Sequence, residues 1–136
     1  DSWMTKDIEK AIEDAEWHLK MGKKVREEDG PNRVAIGYFI HSIIRSTDVL
    51  CFHYTGERCQ SGSGHDLHLE FEKLYTDYDL PEKYSKYKKN IRKWVKTEKS
   101  KAEYTGKSYS SSDYARARKA AERYLEKCVK EIVDQP

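Results

Sequence analysis

Apolar residues recur along this chain at helical spacing. Between residues 5 and 28, Ile8, Ile12, Ala15 and Leu19 stand 4, 3 and 4 positions apart, one stripe of an amphipathic helix, and Asp-Gly-Pro-Asn at 29–32 breaks it. Residues 33–57 read differently. Tyr38, Phe39, Ile43, Val49 and Leu50 cover one side, and Ile36, Ile40, Ile44 and Cys51 continue round it. Ser42 and Ser46 interrupt that apolar sector with side chains small enough to admit a neighbouring helix. A helix this apolar belongs in the middle of a bundle. Its remaining strip is polar, with His41, Arg45 and Asp48 at i, i+4 and i+7.

A short third helix is expected in HDLHLEFEKLYTDY, residues 65–78. Pro81 suits the first turn of a fourth, where its missing N–H is harmless. Tyr84, Tyr87, Ile91, Trp94, Val95 and Ala102 form the stripe of that helix, and lysines fill the rest. Ser110 or Ser111 can cap a fifth helix, which buries Ala117, Ala121, Tyr124, Cys128 and Ile132. No strand-like alternation competes. The pattern predicts an all-α protein, a bundle of four or five helices, with residues 1–136 as a single domain.

Composition narrows the picture. Charged residues are 37% of the chain and mean hydropathy is −0.99, so apolar residues must serve as narrow stripes. A chain of 136 residues can bury roughly two thirds of its unfolded surface without metals or disulfides. The longest uncharged apolar run, residues 34–44, is too short to span a bilayer, and no signal peptide is expected. Cys51, Cys59 and Cys128 are odd in number and form no Cys-x-x-Cys pair. They read as reduced thiols in a cytoplasmic protein, a Cys51–Cys59 bridge being the lesser alternative. Net charge is only +2, but residues 83–107 hold ten bases against two acids, Glu98 and Glu103. The first thirty residues hold nine acids against six bases. One part of the surface is therefore basic and another mildly acidic.

Three pieces in this order carry a family resemblance: an acidic amphipathic helix; AIGYFIHSIIRSTDVLCFHYTGER followed by HDLHLEFEKLY; and KSKAEYTGKSYSSSDYARARKAAERYLEKC. Over residues 5–134 the chain resembles the small prokaryotic form of the HEPN family (higher eukaryotes and prokaryotes nucleotide-binding domain). The resemblance implies an antiparallel, up-and-down bundle of four or five helices that dimerises, binds nucleotide or RNA, and works in a toxin–antitoxin setting or beside a partner nucleotidyltransferase. Catalytic members carry Arg, four to six residues, then His, near the end of the fourth helix. Here that place holds Lys99, Lys101, Glu103 and Tyr104, and no histidine follows His68. Lysine lacks the bidentate fork of arginine, and neither Tyr104 nor Thr105 shuttles protons near neutral pH as histidine does. Arg58 and His65 match the spacing, but in the loop before the third helix, and are taken as coincidence. Binding without cleavage is therefore expected. A degenerate ribonuclease using Lys99 and Tyr104, or a module that only docks protein partners, are the alternatives. In a related branch a tyrosine just after the histidine receives a nucleotidyl group, and Tyr104 stands at that place.

Candidate ligand-binding residues are Lys99, Lys101, Tyr104 and Lys107, cations beside an aromatic face suited to phosphates and unstacked bases, together with His41 and Arg45. The plainer reading of the first four is a solvated helix end, and of Arg45 an internal pair with Asp48. Gly106-Lys107-Ser108 lacks the upstream glycine and preceding strand of a phosphate-binding loop. His65, His68 and Glu72 share a face at metal-ligand spacing, yet read better as a cap and a surface His68–Glu72 pair. No histidine has a glutamate three positions before it, which removes a di-metal bundle. No metal, cofactor or membrane is expected.

Overall fold

The computed structural model describes residues 5–59, 67–104 (the backbone alone at 100, 103 and 104) and 107–134. They form five helices: α1, Lys6–Glu27; α2, Asn32–Thr55; α3, Leu67–Asp77; α4, made of the contiguous segments Tyr87–Ile91, Arg92–Glu98 and Lys99–Tyr104; and α5, made of Ser111–Tyr124, Leu125–Val129 and Lys130–Asp134. The described residues contain no strand. The all-α bundle read from the sequence is the fold observed.

Each boundary has a local cause. The Thr5 hydroxyl accepts the Ile8 N–H at 3.2 Å to open α1. Gly56, at φ 80°, turns the chain out of α2, a backbone angle that glycine takes without strain. Ser110 caps α5 in a reciprocal box with Asp113, deciding between the two serines the sequence offered. Pro81 does not enter α4. It opens a separate 3₁₀ turn, Glu82–Tyr84, and the helix begins at Tyr87. Both α4 and α5 widen by π-type winding, at Arg92–Glu98 and Leu125–Val129, which brings adjacent pairs such as Trp94–Val95 and Cys128–Val129 to the core together.

Helix α2 is the hub and contacts every other helix. Thirteen of its 24 residues are buried. By length and composition it could cross a membrane, yet 72% of its most apolar window is buried inside the bundle, as in a core helix. The small residues do what their size allows: the Ser42 hydroxyl donates to the Ala15 carbonyl at 2.8 Å, drawing α1 against α2. On the opposite side the buried Thr47 hydroxyl donates to the Ile43 carbonyl (3.0 Å) and accepts from Tyr124 (2.8 Å), tying α5 to the hub. The Tyr124 ring meets Phe71 of α3 and Tyr87 of α4, both at 5.7 Å between centroids, so one side chain joins four helices.

His68 is buried at 4% exposure, not the surface residue expected. Glu72 receives Arg92 of α4, at 3.1 and 3.2 Å to its two oxygens.

Gly22 tests how close the α1–α2 approach is. A Cβ built there would lie 2.5 Å from Cε1 of Phe39, a fully buried ring held edge-on by Tyr114. Overpacking of this kind costs about 1–3 kcal/mol, against a gain of up to about 1 kcal/mol from replacing a helical glycine by alanine. Gly22→Ala is expected to lower the urea midpoint. An unchanged or raised midpoint would show that Phe39 can move aside.

Candidate functional site

The loop between α4 and α5 uses its charge internally. Glu98 is buried at 8% exposure and accepts the Tyr109 hydroxyl at 2.8 Å. Lys107 stands 3.5 Å from the same carboxylate oxygen and 4.8 Å from the Tyr109 ring centroid. Burial and the Glu98 carboxylate push the Tyr109 phenol well above its usual range. Lys107 therefore serves to compensate a buried acid. Lys99, at the start of the last segment of α4, is itself buried at 8% exposure, and Lys101 is exposed. The Tyr104 side chain, Thr105 and Gly106 lie outside the described residues, as does His65. Of the described lysines here, Lys99 is buried, Lys101 faces solvent and Lys107 stands against Glu98.

The polar strip of α2 is largely self-contained. Arg45 donates to Asp48 at 2.8 Å, the internal pairing read from the sequence, and Arg58 approaches the same Asp48 oxygen at 3.6 Å. His41 lies beside His18 of α1, ring centroids 5.8 Å apart. The Nδ1–H of His18 donates to the Asp14 carbonyl at 2.7 Å, which leaves Nε2 as the acceptor nitrogen. Trp17, 51% exposed, stands edge-on to both His18 and Tyr38. An open cleft of about 560 Å³ runs beside this strip, but Asp7, Asp14 and Asp48 line it along with Lys10, Arg45 and Arg58, so it has no prevailing charge.

A third region does. Between α4 and α5 lies a groove of about 260 Å³ whose rims are Lys86, Asn90 and Lys93 on one side and Arg116, Lys119 and Arg123 on the other. Each rim repeats at helical spacing, i, i+4, i+7 and i, i+3, i+7, so each row lies along one helix face. Buried Tyr87, Trp94 and Ala120 form the floor. The groove exists because α4 and α5 both lean on α2, while the small Ala120 leaves the space between them unfilled. No carboxylate lines it. Arg116 is held by Asp113 and by the Ser112 hydroxyl at 2.9 Å. Lys86 lies 5.5 Å over the Tyr87 ring, and Lys93 lies 4.8 Å over Trp94. Among the described residues Lys86, Lys93, Lys119 and Arg123 make no ion pair. The basic character of the fourth helix was legible in the lysine count. The α5 row was missed because that count stopped at Lys107, although Arg116, Lys119 and Arg123 show the spacing.

Cys51 and Cys59 are joined in a disulfide with Cα atoms 5.6 Å apart, a correction to the reading of reduced thiols. The cysteine argument for a cytoplasmic chain falls away with it. Cys128 is free and buried, and burial pushes its thiol well above the ordinary range, which disfavours the thiolate. Among the described residues no group of three His, Cys, Asp or Glu could hold a metal ion.

Fold and surface together define a helical bundle hubbed on one apolar helix and carrying a carboxylate-free cationic groove. The chain matches no protein-family model, no curated protein and no solved structure.

Burial, with the nearby His41 and Arg45, lowers the His18 pKa below 6.5 against the opposing bond to Asp14. The unfolded chain then binds the extra proton more readily, so this contribution to stability is present above about pH 6.5 and is lost as pH falls through the folded pKa. An NMR titration should place His18 below the free imidazole value, and His18→Gln should flatten part of the acid-side loss of stability. His53, also lowered by burial, keeps its own share. A His18 that titrates above 6.5 would contradict the buried environment.

Proposed function

We propose that this chain is a nucleotide- or RNA-binding helical protein that retains its ligand without cutting it, with the α4–α5 groove as the contact surface. One observation carries the reading: five cationic side chains and one amide ring a groove that contains no acid. Like charges held this close repel one another unless counterions or a ligand's phosphates neutralise them. The family resemblance agrees with this reading, and it alone supports HEPN membership, a homodimer and a toxin–antitoxin or nucleotidyltransferase setting. The absence of histidine after His68 supports binding without cleavage. On this reading the Lys99–Lys107 loop lies beside the ligand, with Lys101 as its exposed cation.

Fluorescence anisotropy with labelled single-stranded RNA tests the proposal. Binding is expected at low salt, and the double change Lys119→Glu, Arg123→Glu should weaken it by about tenfold or more while leaving the melting temperature close to that of the wild type, because both side chains are exposed. The RNA should be recovered intact. No retention at low salt, or retention untouched by the double change, overturns the assignment; cleavage abolished by Lys99→Ala would restore the ribonuclease alternative.

A second reading has one observation in its favour. Trp17 offers half of a large ring to solvent beside Tyr38, a combination enriched at protein contacts. Sedimentation of the wild type and Trp17→Ala addresses it: a dimer dissociated by the change supports that surface, and an unaltered monomer removes it.

A further inference from the structure

The chemistry of the groove says which part of a ligand it reads, an inference that rests on the polyanion reading above. Its exposed groups are five cations and the Asn90 amide. Its two aromatic residues are not available for stacking. Tyr87 and Trp94 are each 3% exposed; Tyr87 packs on Tyr124 and has Lys86 above it, and Trp94 lies under Lys93. Recognition of unstacked bases depends on open ring faces and on donors and acceptors arranged for base edges. This groove has no open ring face and one neutral polar side chain. Of its five cations three are lysines, point charges that follow phosphate without the planar fork that reads a guanine edge, and the Arg116 fork already faces Asp113.

The dimensions agree with a chain of phosphates. Each cationic row runs over seven helical steps, Lys86 standing just ahead of α4, about 10 Å at 1.5 Å per step. The phosphates of a single strand lie farther apart than the axial rise of a duplex, but the long lysine and arginine side chains reach past each end of the rows, so the two rows together can engage about three phosphates. Two rows facing each other across a narrow floor can hold one such chain between them.

We infer that the α4–α5 groove binds a linear run of about three phosphates without reading bases. A nucleic-acid backbone and inorganic polyphosphate share that chemistry, and both are expected to occupy it.

Competition and salt titration test this together, with anisotropy of labelled oligo-U, oligo-A and oligo-C of equal length. The three should bind with equal affinity to within a few-fold, and long-chain inorganic polyphosphate should displace each of them. With about three phosphates engaged and a slope near −0.7 per phosphate for single strands, log K should fall with log salt at about −2, a loss of about twentyfold between 50 and 200 mM. Lys119→Glu with Arg123→Glu should reduce binding of all the polymers, polyphosphate included. RNA binding with a preference of about tenfold or more for one base, or failure of polyphosphate to compete, overturns the inference while leaving RNA binding in place. If no polymer binds at low salt, the proposed function falls with it.

Discussion

Helix α2 has almost no face to give to water, and the rest of the molecule follows from that. Thirteen of its residues are buried, including Ser42, Ser46 and Thr47 as well as the aliphatic ones. At roughly 25 cal/mol for each Å² of apolar surface removed from water, such a helix is stable only when neighbours cover it on several sides. The chain supplies α1, α3, α4 and α5, each with one narrow apolar stripe and the remainder charged. The Ser42–Ala15 and Thr47–Tyr124 hydrogen bonds fix where two of those neighbours sit, because each satisfies a hydroxyl that would otherwise be buried unpaired.

Surface chemistry is a consequence of this arrangement. Helices that spend their apolar residues on one hub have no large faces left for one another, so α4 and α5 meet over Ala120 and leave a groove. Their charged residues begin at the edge of each stripe, and on these two helices the edge residues are basic. Elsewhere the chain balances opposite charges: Glu98 with Lys107, Asp48 with Arg45 and Arg58, Glu72 with Arg92, Lys130 with Glu16 and Glu126. Against those pairs, the α4–α5 groove gathers several cations with no carboxylate among them, the charge that the proposed phosphate ligand would neutralise.

The helices were legible because periodicity reports burial. Ala117, Ala121, Tyr124, Cys128 and Ile132 are all buried, as their spacing implied. So was the Arg45–Asp48 pair, since both partners lie on one helix three positions apart. Contacts between distant segments were not legible. Nothing local says that Lys107 turns back to a buried Glu98 beside Tyr109, or that Glu72 takes Arg92 from another helix. The Cys51–Cys59 bridge depends on the chain folding back after Gly56, which spacing alone does not show. The groove was half visible. A run of lysines in α4 stands out in sequence, whereas the facing row in α5 is diluted by Ala115, Ala117, Ala120 and Ala121 and becomes basic only when projected on a helix.

The position of the ligand is measured most directly by lysine footprinting: acetylation of the folded protein with and without single-stranded RNA at low salt, read by mass spectrometry. Lys86, Lys93 and Lys119, on the two rims of the groove, should lose reactivity together when RNA is present, while Lys6, Lys10 and Lys20 of α1 keep theirs. Protection confined to Lys101 and Lys107, or spread evenly over all exposed lysines, would contradict a binding surface between α4 and α5.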